Sequence, residues 1–317
     1  MKAGKIVTLA TALLVAVLGL SLIPGCTEEE TPIVIPETIY PLTIVDQLDR
    51  TVTINAEPQR IISLAPSNTE IVYALGLEDK LVGVTTYCNY PAAALEKPKV
   101  GGFSTADVEL ITAAQPDLII AANIHASKVI PQLEALGFTV IALSPDNLNE
   151  VLEAIEMVGK VANVNEITQP LVDGLTARVN AVTSKTQTLN QSQLTRTFYI
   201  VWHEPLQSIG STSFINSLIS VAGGVNIVGE INEKYPKVSP ETVLGKDPQV
   251  IIAQIGMGSG EDLPLQWAKT EPLLASVSAR VNGQVFGVIS DVVGRSGPRI
   301  VDALEELAKM IHPELFS

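Results

Sequence analysis

Apolar and polar residues alternate in two short stretches on either side of the segment DQLDR, residues 46–50, and this alternation predicts an edge hairpin. The run RIISLAPS that follows predicts a buried strand and a turn, and NTEIVYALGL after it has the spacing of a helix. The same order of patterns continues in KLVGVT, VELITAAQ, PDLIIAA, KVIPQLEALG and FTVIAL. A regular succession of strand, loop and helix predicts an α/β fold.

The middle of the chain has a different pattern. Residues 147–190 are polar on one side and contain no strand-like run, so we predict helices that leave one lobe and enter another, with an interruption at Pro170. Strand and helix patterns return after them in TFYIVW, SFINSLISVAGG, ETVLGK, PQVIIAQ, QVFGVI and PRIVDALEELAKMI.

The two halves of the chain contain an internal repeat. ELITAAQPDLIIA, from Glu109 to Ala121, aligns without a gap with ETVLGKDPQVIIA, from Glu241 to Ala253. A repeat of this kind predicts two lobes of similar build. Both glutamates stand near the start of a short predicted helix, where a carboxylate interacts favourably with the helix dipole.

The first 25 residues have the pattern of a signal peptide. Two lysines precede an uncharged apolar run, and the sequence IPGC, which ends at Cys26, resembles the bacterial motif whose cysteine is lipidated and becomes the N-terminus after cleavage. We therefore predict lipidation at Cys26 and a polar tether over residues 26–40. A single transmembrane span is the alternative, because the run is close to the ~20 residues that a bilayer requires.

Composition and motifs exclude several classes of function. A net charge of -14 disfavours a surface that follows nucleic-acid phosphates. The sequence contains no P-loop, HExxH, CxxC or GxSxG motif, and its three histidines lack metal-binding spacing. We therefore predict a protein that is not an enzyme and holds no metal or cofactor. Cys88 with a distant histidine leaves a thiol enzyme as an alternative.

Candidate binding residues follow the predicted strands of both lobes. Loops at the carboxyl ends of strands are where open α/β sheets bind ligands. Because only 4% of the residues are aromatic, several aromatic side chains in such loops indicate a binding cleft more than core packing. The candidates are Tyr87, Phe103, Trp202, Tyr235, Asp291 and Arg295.

Most of the chain resembles a known family, the substrate-binding proteins of ABC importers for cobalamin, haem and iron-siderophores. The resemblance runs from about Pro41 to Leu315 and is strongest to the cobalamin-binding members. The segments that carry it are RIISLAPSNTEIVYALGL, VGVTTYCNYP, KPKVGGFSTADVELITAAQPDLIIA, SFINSLISVAGGVNIV, VSPETVLGKDPQVII and GRSGPRIVDALEELA.

This resemblance implies two Rossmann-like lobes joined by one long rigid helix, the class III periplasmic binding protein fold, with a ligand cleft between the lobes. We place the N-terminal lobe at residues 41–160, the connecting helix region at 161–194 and the C-terminal lobe at 195–317.

The implied ligand is a corrinoid of the vitamin B12 type. Tyr87 is expected against it, Phe103 and Tyr235 stand where the family has tryptophans, and Asp291 with Arg295 lies in the loop before the last helix. Aromatic walls can cover the flat faces of a corrin while polar groups bind the amides at its rim.

The resemblance also implies partners. Glutamates at the positions of Glu109 and Glu241 dock to arginines on the two subunits of an ABC permease, which works with its ATPase subunits. A twofold permease requires one anion on each lobe at equivalent positions, and the repeat supplies both. The implied location is extracytoplasmic, with the lipid at Cys26 in the membrane.

Four alternatives remain open from the sequence. An iron-siderophore receptor requires several arginines, and the loops contribute chiefly Arg295 and Arg299. A haem receptor requires an axial ligand, for which Tyr87, His125 or His203 is available. An enzyme acting through Cys88 or His203 would turn over its ligand, whereas a structural surface protein would bind none.

Overall fold

The structure is a computed structural model that describes residues 36–256 and 262–316. The predicted signal peptide, Cys26 and residues 26–35 of the predicted tether lie outside these residues. Within the described residues, no helix combines the length and the apolar character needed to cross a bilayer.

The first half of the described chain consists of a hairpin, a parallel sheet and the helices around it. The strands are β1 (Leu42–Val45), β2 (Thr51–Ile54), β3 (Ile61–Ser63), β4 (Leu81–Val84), β5 (Leu118–Ala122) and β6 (Val140–Leu143). The helices are α1 (Pro66–Ala74), α2 (Val108–Ala113), α3 (Val129–Ala135), α4 (Leu148–Val161) and α5 (Asn165–Thr186). Strands β1 and β2 pair antiparallel, so the predicted hairpin is confirmed.

The second half has the same kinds of element. Its strands are β7 (Thr195–Ile200), β8 (Trp202–His203), β9 (Leu206–Gln207), β10 (Gly224–Asn226), β11 (Val250–Ile255) and β12 (Val285–Ile289). Its helices are α6 (Phe214–Val221), α7 (Pro240–Lys246), α8 (Leu263–Thr270), α9 (Ser278–Val281), α10 (Ser290–Val293) and α11 (Ile300–Ile311). The small β8–β9 hairpin and β10 were not predicted, because strands of two or three residues are too short to show alternation.

Both lobes have the same sheet topology. The strand order is β4-β3-β5-β6 in the first lobe and β10-β7-β11-β12 in the second, and the strands of each sheet pair parallel. Counting the sheet strands within each lobe, the order is 2-1-3-4 in both. The repeat in the sequence therefore corresponds to two lobes of the same build.

The repeat extends further in the structure than in the sequence. Gln115 and Asp247 occupy the same place in the two copies, and both have a left-handed backbone, with φ of 47° and 43°. In each lobe an arginine that enters the first strand of the sheet donates from Nε to the carbonyl oxygen of this residue, Arg60 at 3.0 Å and Arg196 at 2.9 Å. The arginine binds and orients the same turn before β5 and before β11.

In sequence, helix α5 comes after the last strand of the first sheet, β6, and before the first strand of the second, β7. It packs against α4 of the first lobe and against α6 and α11 of the second. The predicted interruption at Pro170 does not occur, because Pro170 lies inside α5. Proline lacks one backbone N–H, so α5 loses one hydrogen bond at this point but continues through it.

The apolar core is continuous between the lobes. One buried cluster includes Ile71 of α1, Val158 of α4, Leu175 of α5 and Leu304 of α11. Further clusters cover the opposite face of each sheet. The predicted fold class, two Rossmann-like lobes joined by a long helix, is confirmed, whereas the limits that we set at residues 160 and 195 stay predictions.

Candidate functional site

A cavity of about 810 Å³ lies where loops of the two lobes meet. Its first-lobe wall consists of the segments that follow the carboxyl ends of the parallel strands, and its second-lobe wall comes from the loop before α7 and from the segment after β12. The lining residues are Ala65, Pro66, Ser67, Tyr87, Phe103, Ser104, Ala122, Asn123, Ile124, Leu143, Ser144, Pro145, Asp146, Lys234, Tyr235, Asp291, Gly294, Arg295 and Ser296.

The structure brings five of the six predicted binding residues together in this cavity: Tyr87, Phe103, Tyr235, Asp291 and Arg295. The side chains of Tyr87 and Tyr235 are 63% and 47% exposed, although tyrosine rings usually contribute to apolar packing. Two well-exposed rings on facing lobes leave apolar surface available to a ligand.

Trp202 is not among the residues that line the cavity. It lies in β8, where its indole Nε1 donates to the backbone oxygen of Glu204 at 2.9 Å and its ring packs beside that of His203. The short hairpin that holds Trp202 was not foreseen, and it directs the chain after β7 away from the simple strand-to-loop geometry on which the prediction rested.

Phe103 is held in place by a tight loop and by a buried histidine. Gly101 has φ of 102°, and a Cβ at this position would approach the backbone oxygen of Thr105 to 2.6 Å, so the turn requires glycine. The ring of His125 meets the Phe103 ring edge-on with centroids 5.7 Å apart, and its Nε2 donates to the Phe103 carbonyl oxygen at 2.7 Å.

His125 is neutral and fully used inside the first lobe. Its Nδ1 accepts a hydrogen bond from the backbone N–H of Ala122 at 2.9 Å, so the proton resides on Nε2. Burial lowers the pKa of His125 below its ordinary value. Since both ring nitrogens have partners and the residue is completely buried, His125 is not available as an axial ligand of a haem iron.

We expect the free energy of unfolding to fall between about pH 7 and pH 5.5 because of His125. In this range the unfolded chain binds a proton near the ordinary histidine pKa of ~6.5, while the folded chain with its lowered pKa does not, so stability is lost as the pH falls. Urea unfolding at pH 7.5 and 5.5 measures the change. His125→Gln, which keeps a donor and an acceptor, should show a flatter dependence; an equal slope in both proteins would contradict this role.

A polar network forms one side of the cavity and joins the lobes. Arg295 donates from one terminal nitrogen to Asn89 Oδ1 at 2.6 Å, and its other terminal nitrogen lies 2.7 Å from Asp291 Oδ2. Asn89 in turn donates from Nδ2 to Asp291 Oδ2 at 3.0 Å. A first-lobe loop and the second-lobe segment after β12 are thus directly hydrogen-bonded beside the ligand space.

Glu70 extends this network by pairing with Arg295 and Arg299. Its carboxylate, on α1, receives two bonds from Arg299, Nε at 2.9 Å and a terminal nitrogen at 2.6 Å. The Arg299 guanidinium also lies 3.7 Å from the centre of the Tyr90 ring. The hydrogen bonds that Arg299 donates to the Glu70 carboxylate raise the pKa of Arg299, which is therefore charged throughout the accessible pH range. Arg299 directly precedes α11, and its pairing with Glu70 was not predicted.

Cys88 lies next to the cavity wall but does not line it. Its side chain is completely buried and its sulfur lies 3.1 Å from the hydroxyl of Thr69 and 3.2 Å from that of Thr85. Because the sulfur is buried, it is not accessible to a molecule in the cavity. His203 is likewise not a lining residue, so the cavity does not pair Cys88 with a histidine.

The remaining charged groups of the cavity are balanced. The charged residues of the lining are Asp146, Asp291, Lys234 and Arg295, so its formal charges sum to zero. Among the described residues, no three His, Cys, Asp or Glu side chains lie close enough together to hold a metal ion. The geometry suits binding of an organic ligand through apolar faces and neutral hydrogen bonds.

Glu109 and Glu241 lie on exposed helix starts, away from the cavity lining. Asp107 caps α2 by accepting from the backbone N–H of Glu109 at 3.0 Å, and Ser239 caps α7 by accepting from that of Thr242 at 3.3 Å. A hydrogen bond with its own backbone N–H, and then one from Ser239, lowers the pKa of Glu241. Both side chains therefore present carboxylates to solvent at corresponding places on the two lobes.

Comparison with known proteins identifies the family. A family model described as periplasmic binding protein matches residues 61–292. The chain is 31% identical over 283 residues to an uncharacterized ABC transporter substrate-binding lipoprotein, YvrC, of Bacillus subtilis, covering 88% of each chain.

Three further similarities concern proteins whose names state a ligand. The vitamin B12-binding protein of Vibrio cholerae is 34% identical over 251 residues, covering 78% of this chain and 87% of that protein. A crystal structure of the periplasmic vitamin B12 binding protein of the same species matches with a TM-score of 0.70 and 33% identity, over 81% of this chain and 97% of the other. A periplasmic heme binding protein of Pseudomonas aeruginosa matches with a TM-score of 0.70 and 26% identity, over 81% and 93% of the two chains. All of these similar proteins are binding proteins by name, in agreement with the prediction that the chain is not an enzyme.

Proposed function

The chain belongs to the periplasmic binding protein family, and we propose that it captures a corrinoid of the vitamin B12 type outside the cytoplasm and delivers it to an ABC permease. The observation that carries the proposal is the composition of the cavity. Aromatic side chains from both lobes face it, and its charged groups cancel.

The size and chemistry of the cavity fit such a ligand. A volume of about 810 Å³ lies in the upper part of the range of roughly 300–1,000 Å³ for small-molecule sites, so the ligand is large. Tyr87, Phe103 and Tyr235 offer apolar faces to the corrin plane. Neutral groups along the wall, such as Ser67, Asn123 and Ser144, suit the amides at its rim.

A haem or iron-siderophore ligand is the alternative within the same family. The similarity to a heme binding protein supports it. Of the three axial ligands that the sequence offers, however, His125 is engaged inside the lobe, and only Tyr87 lines the cavity. An anionic chelate also requires uncompensated cations, and of the two cationic side chains in the lining, Lys234 and Arg295, the latter is paired with Asp291. Both observations favour the corrinoid.

The proposed location is the outer face of a cell membrane. We infer that the leader is removed and that Cys26 carries the lipid, so that the acidic tether separates the lobes from the bilayer. The similarity to a protein named a lipoprotein supports this anchor. The proposed partners are a permease dimer and its ATPase subunits, with Glu109 and Glu241 as the docking anions.

Titration with a panel of ligands tests the proposal. Residues 36–317 contain every described element and its core, so a chain that begins at residue 36 is a suitable soluble form. Cyanocobalamin, cobinamide, haem and a ferric hydroxamate are added in turn and binding is followed by absorbance and calorimetry. We expect binding of the corrinoids and their recovery unchanged after release; failure to bind either corrinoid would refute the proposal.

A pair of variants links the binding to this cavity. Phe103→Ala removes an aromatic wall and should weaken corrinoid binding on the order of tenfold, as expected for the loss of a buried aromatic contact. Trp202→Ala is the matched control, because it also removes an aromatic ring, but one that lies in the second lobe and outside the cavity lining. Equal effects of the two changes would place the ligand elsewhere.

A further inference from the structure

Glu70 is a buried carboxylate that takes no part in lining the cavity. Its side chain is 2% exposed and lies on α1, with both oxygens directed at arginines of the other lobe. Arg299 binds it through two hydrogen bonds, and Arg295 approaches its Oε1 to 3.4 Å. Burial of a carboxylate is unfavourable unless charged partners surround it, so this arrangement requires an explanation.

The consequence for Arg295 is that the protein itself supplies acceptors to both terminal nitrogens of its guanidinium. One terminal nitrogen donates to Asn89 and, more weakly, to Glu70, while the other donates to the Tyr87 carbonyl oxygen at 3.4 Å and pairs with Asp291. Arg295 lines the cavity, yet each of its terminal nitrogens already has two acceptors. Little of its charge is left for a ligand.

The four charges of this group cancel. Glu70 and Asp291 carry two negative charges, and Arg295 and Arg299 carry two positive ones, all within one connected set of salt bridges. The side chains of Arg295 and Glu70 are only 12% and 2% exposed, so water screens the set weakly. Removal of one buried negative charge would therefore leave a positive field at the cavity wall.

We propose that Glu70 is a specificity-determining residue that acts through Arg295: it neutralises the arginine side of the cavity and thereby excludes anionic ligands in favour of neutral ones. Glu70 is a positioning residue, since it touches Arg295 and not the cavity. The inference rests on the proposed function, because it names the charge class of corrinoid that the same site selects.

Glu70 also joins the lobes mechanically, and the test must separate the two roles. A Cβ on Gly297 would meet the Ser67 backbone oxygen at 3.2 Å and Glu70 Oε2 at 3.3 Å, so the loop before α11 packs directly on α1. A purely mechanical role would change the affinity for all ligands of one shape equally. A role in charge selection would change the ratio of affinities for ligands that differ only in charge.

The experiment compares cyanocobalamin with its mono- and dicarboxylate derivatives, obtained by hydrolysis of peripheral amides, on the chain that begins at residue 36. For the unaltered protein we expect affinity to fall with each added carboxylate. For Glu70→Gln we expect the preference for the neutral form over the monocarboxylate to shrink on the order of tenfold. The difference between this variant and the unaltered protein should diminish with added salt.

Two further variants make the outcome decisive. Glu166→Gln changes the net charge by the same amount, but Glu166 is exposed in the first turn of α5 and does not line the cavity. In this variant the ratio of the affinities for cyanocobalamin and its monocarboxylate should equal that of the unaltered protein. Asp291→Asn removes the other carboxylate from Arg295 at a more exposed position and should shift the ratio in the same direction as Glu70→Gln, which covers the case that Glu70→Gln fails to fold.

The outcomes distinguish this inference from the proposed function. If the unaltered chain binds corrinoids and neither Glu70→Gln nor Asp291→Asn changes the ratio, the charge-selecting role is wrong while the proposed function stands. If the unaltered chain binds no corrinoid, the proposed function fails and the inference fails with it. A ratio that changes equally in Glu166→Gln would attribute the effect to net charge and overturn the inference.

Discussion

The double change Glu109→Gln and Glu241→Gln is expected to stop transport while leaving ligand affinity unchanged. Both carboxylates are exposed at the first turn of short helices and stand apart from the cavity lining. Neither change therefore alters a ligand contact. Each removes one anion from the surface that we propose to face the permease.

The size of the effect follows from symmetry. The residues occupy equivalent places in two lobes with the same strand order, so each is expected to meet one subunit of a twofold permease. Loss of one partner from a charge pair at an interface weakens binding by about tenfold or more, and two such losses multiply. We expect the affinity for the permease to fall at least a hundredfold, measured by surface binding and by uptake into vesicles.

The competing role, stabilisation of the helix dipole, predicts a different result. If the glutamates served only α2 and α7, the variant would show slightly lower stability and normal transport. Exposed glutamates elsewhere, Glu156 of α4 and Glu166 of α5, provide a matched double control with the same change in net charge. A loss of corrinoid affinity in the Glu109 and Glu241 variant would show instead that these residues belong to the ligand site.

The repeat made the fold predictable. A gapless match of thirteen residues places a helix and a strand at equivalent points of two lobes, and α2 with β5 and α7 with β11 occupy those points. Local patterns cannot set the order of strands in a sheet, because that order depends on contacts between distant segments. The equivalent arginines, Arg60 and Arg196, were missed for this reason, since each binds a turn more than fifty residues away.

The sequence predicted those residues of the candidate site whose position follows directly from the end of a strand. Tyr87 and Phe103 come after β4 and before α2, and their loops meet at the carboxyl edge of the first sheet, as the general rule for open sheets requires. Trp202 satisfied the same rule in sequence but lies in a two-residue strand, which no periodicity reveals.

The salt bridges of Glu70 with Arg295 and Arg299, which join the lobes, could not be predicted. Glu70 sits in an apolar helical pattern, and its partners Arg295 and Arg299 are 225 and 229 residues away. A glutamate among apolar residues in a predicted helix does give one signal, because burial of its carboxylate implies an unseen cation. The signal states that a partner exists and does not identify it.

Arg299→Met is expected to destabilise the folded chain by about 3 kcal/mol. The change removes the two hydrogen bonds that Glu70 receives from Arg299 and leaves a buried carboxylate with only the weaker contact to Arg295 at 3.4 Å. Methionine keeps most of the apolar volume of the arginine stem, so the loss reports mainly on charge. Urea unfolding of both proteins at pH 7.5 measures the difference in the free energy of unfolding.

Two comparisons fix the cause. Arg178→Met is the matched control, because Arg178 also pairs with two carboxylates, Asp302 and Glu305, but its side chain is 39% exposed, so the cost should be at most about 1 kcal/mol. The double change Glu70→Met and Arg299→Met removes both buried charges and should restore most of the stability that the single change loses. If the double variant were as unstable as the single one, the loss would come from packing of α1 against the loop before α11 and not from an unpaired charge. Recovery would show that the joint between the lobes is held by a mutually compensating pair, whose charges are retained at little net gain in stability because they serve the cavity beside them.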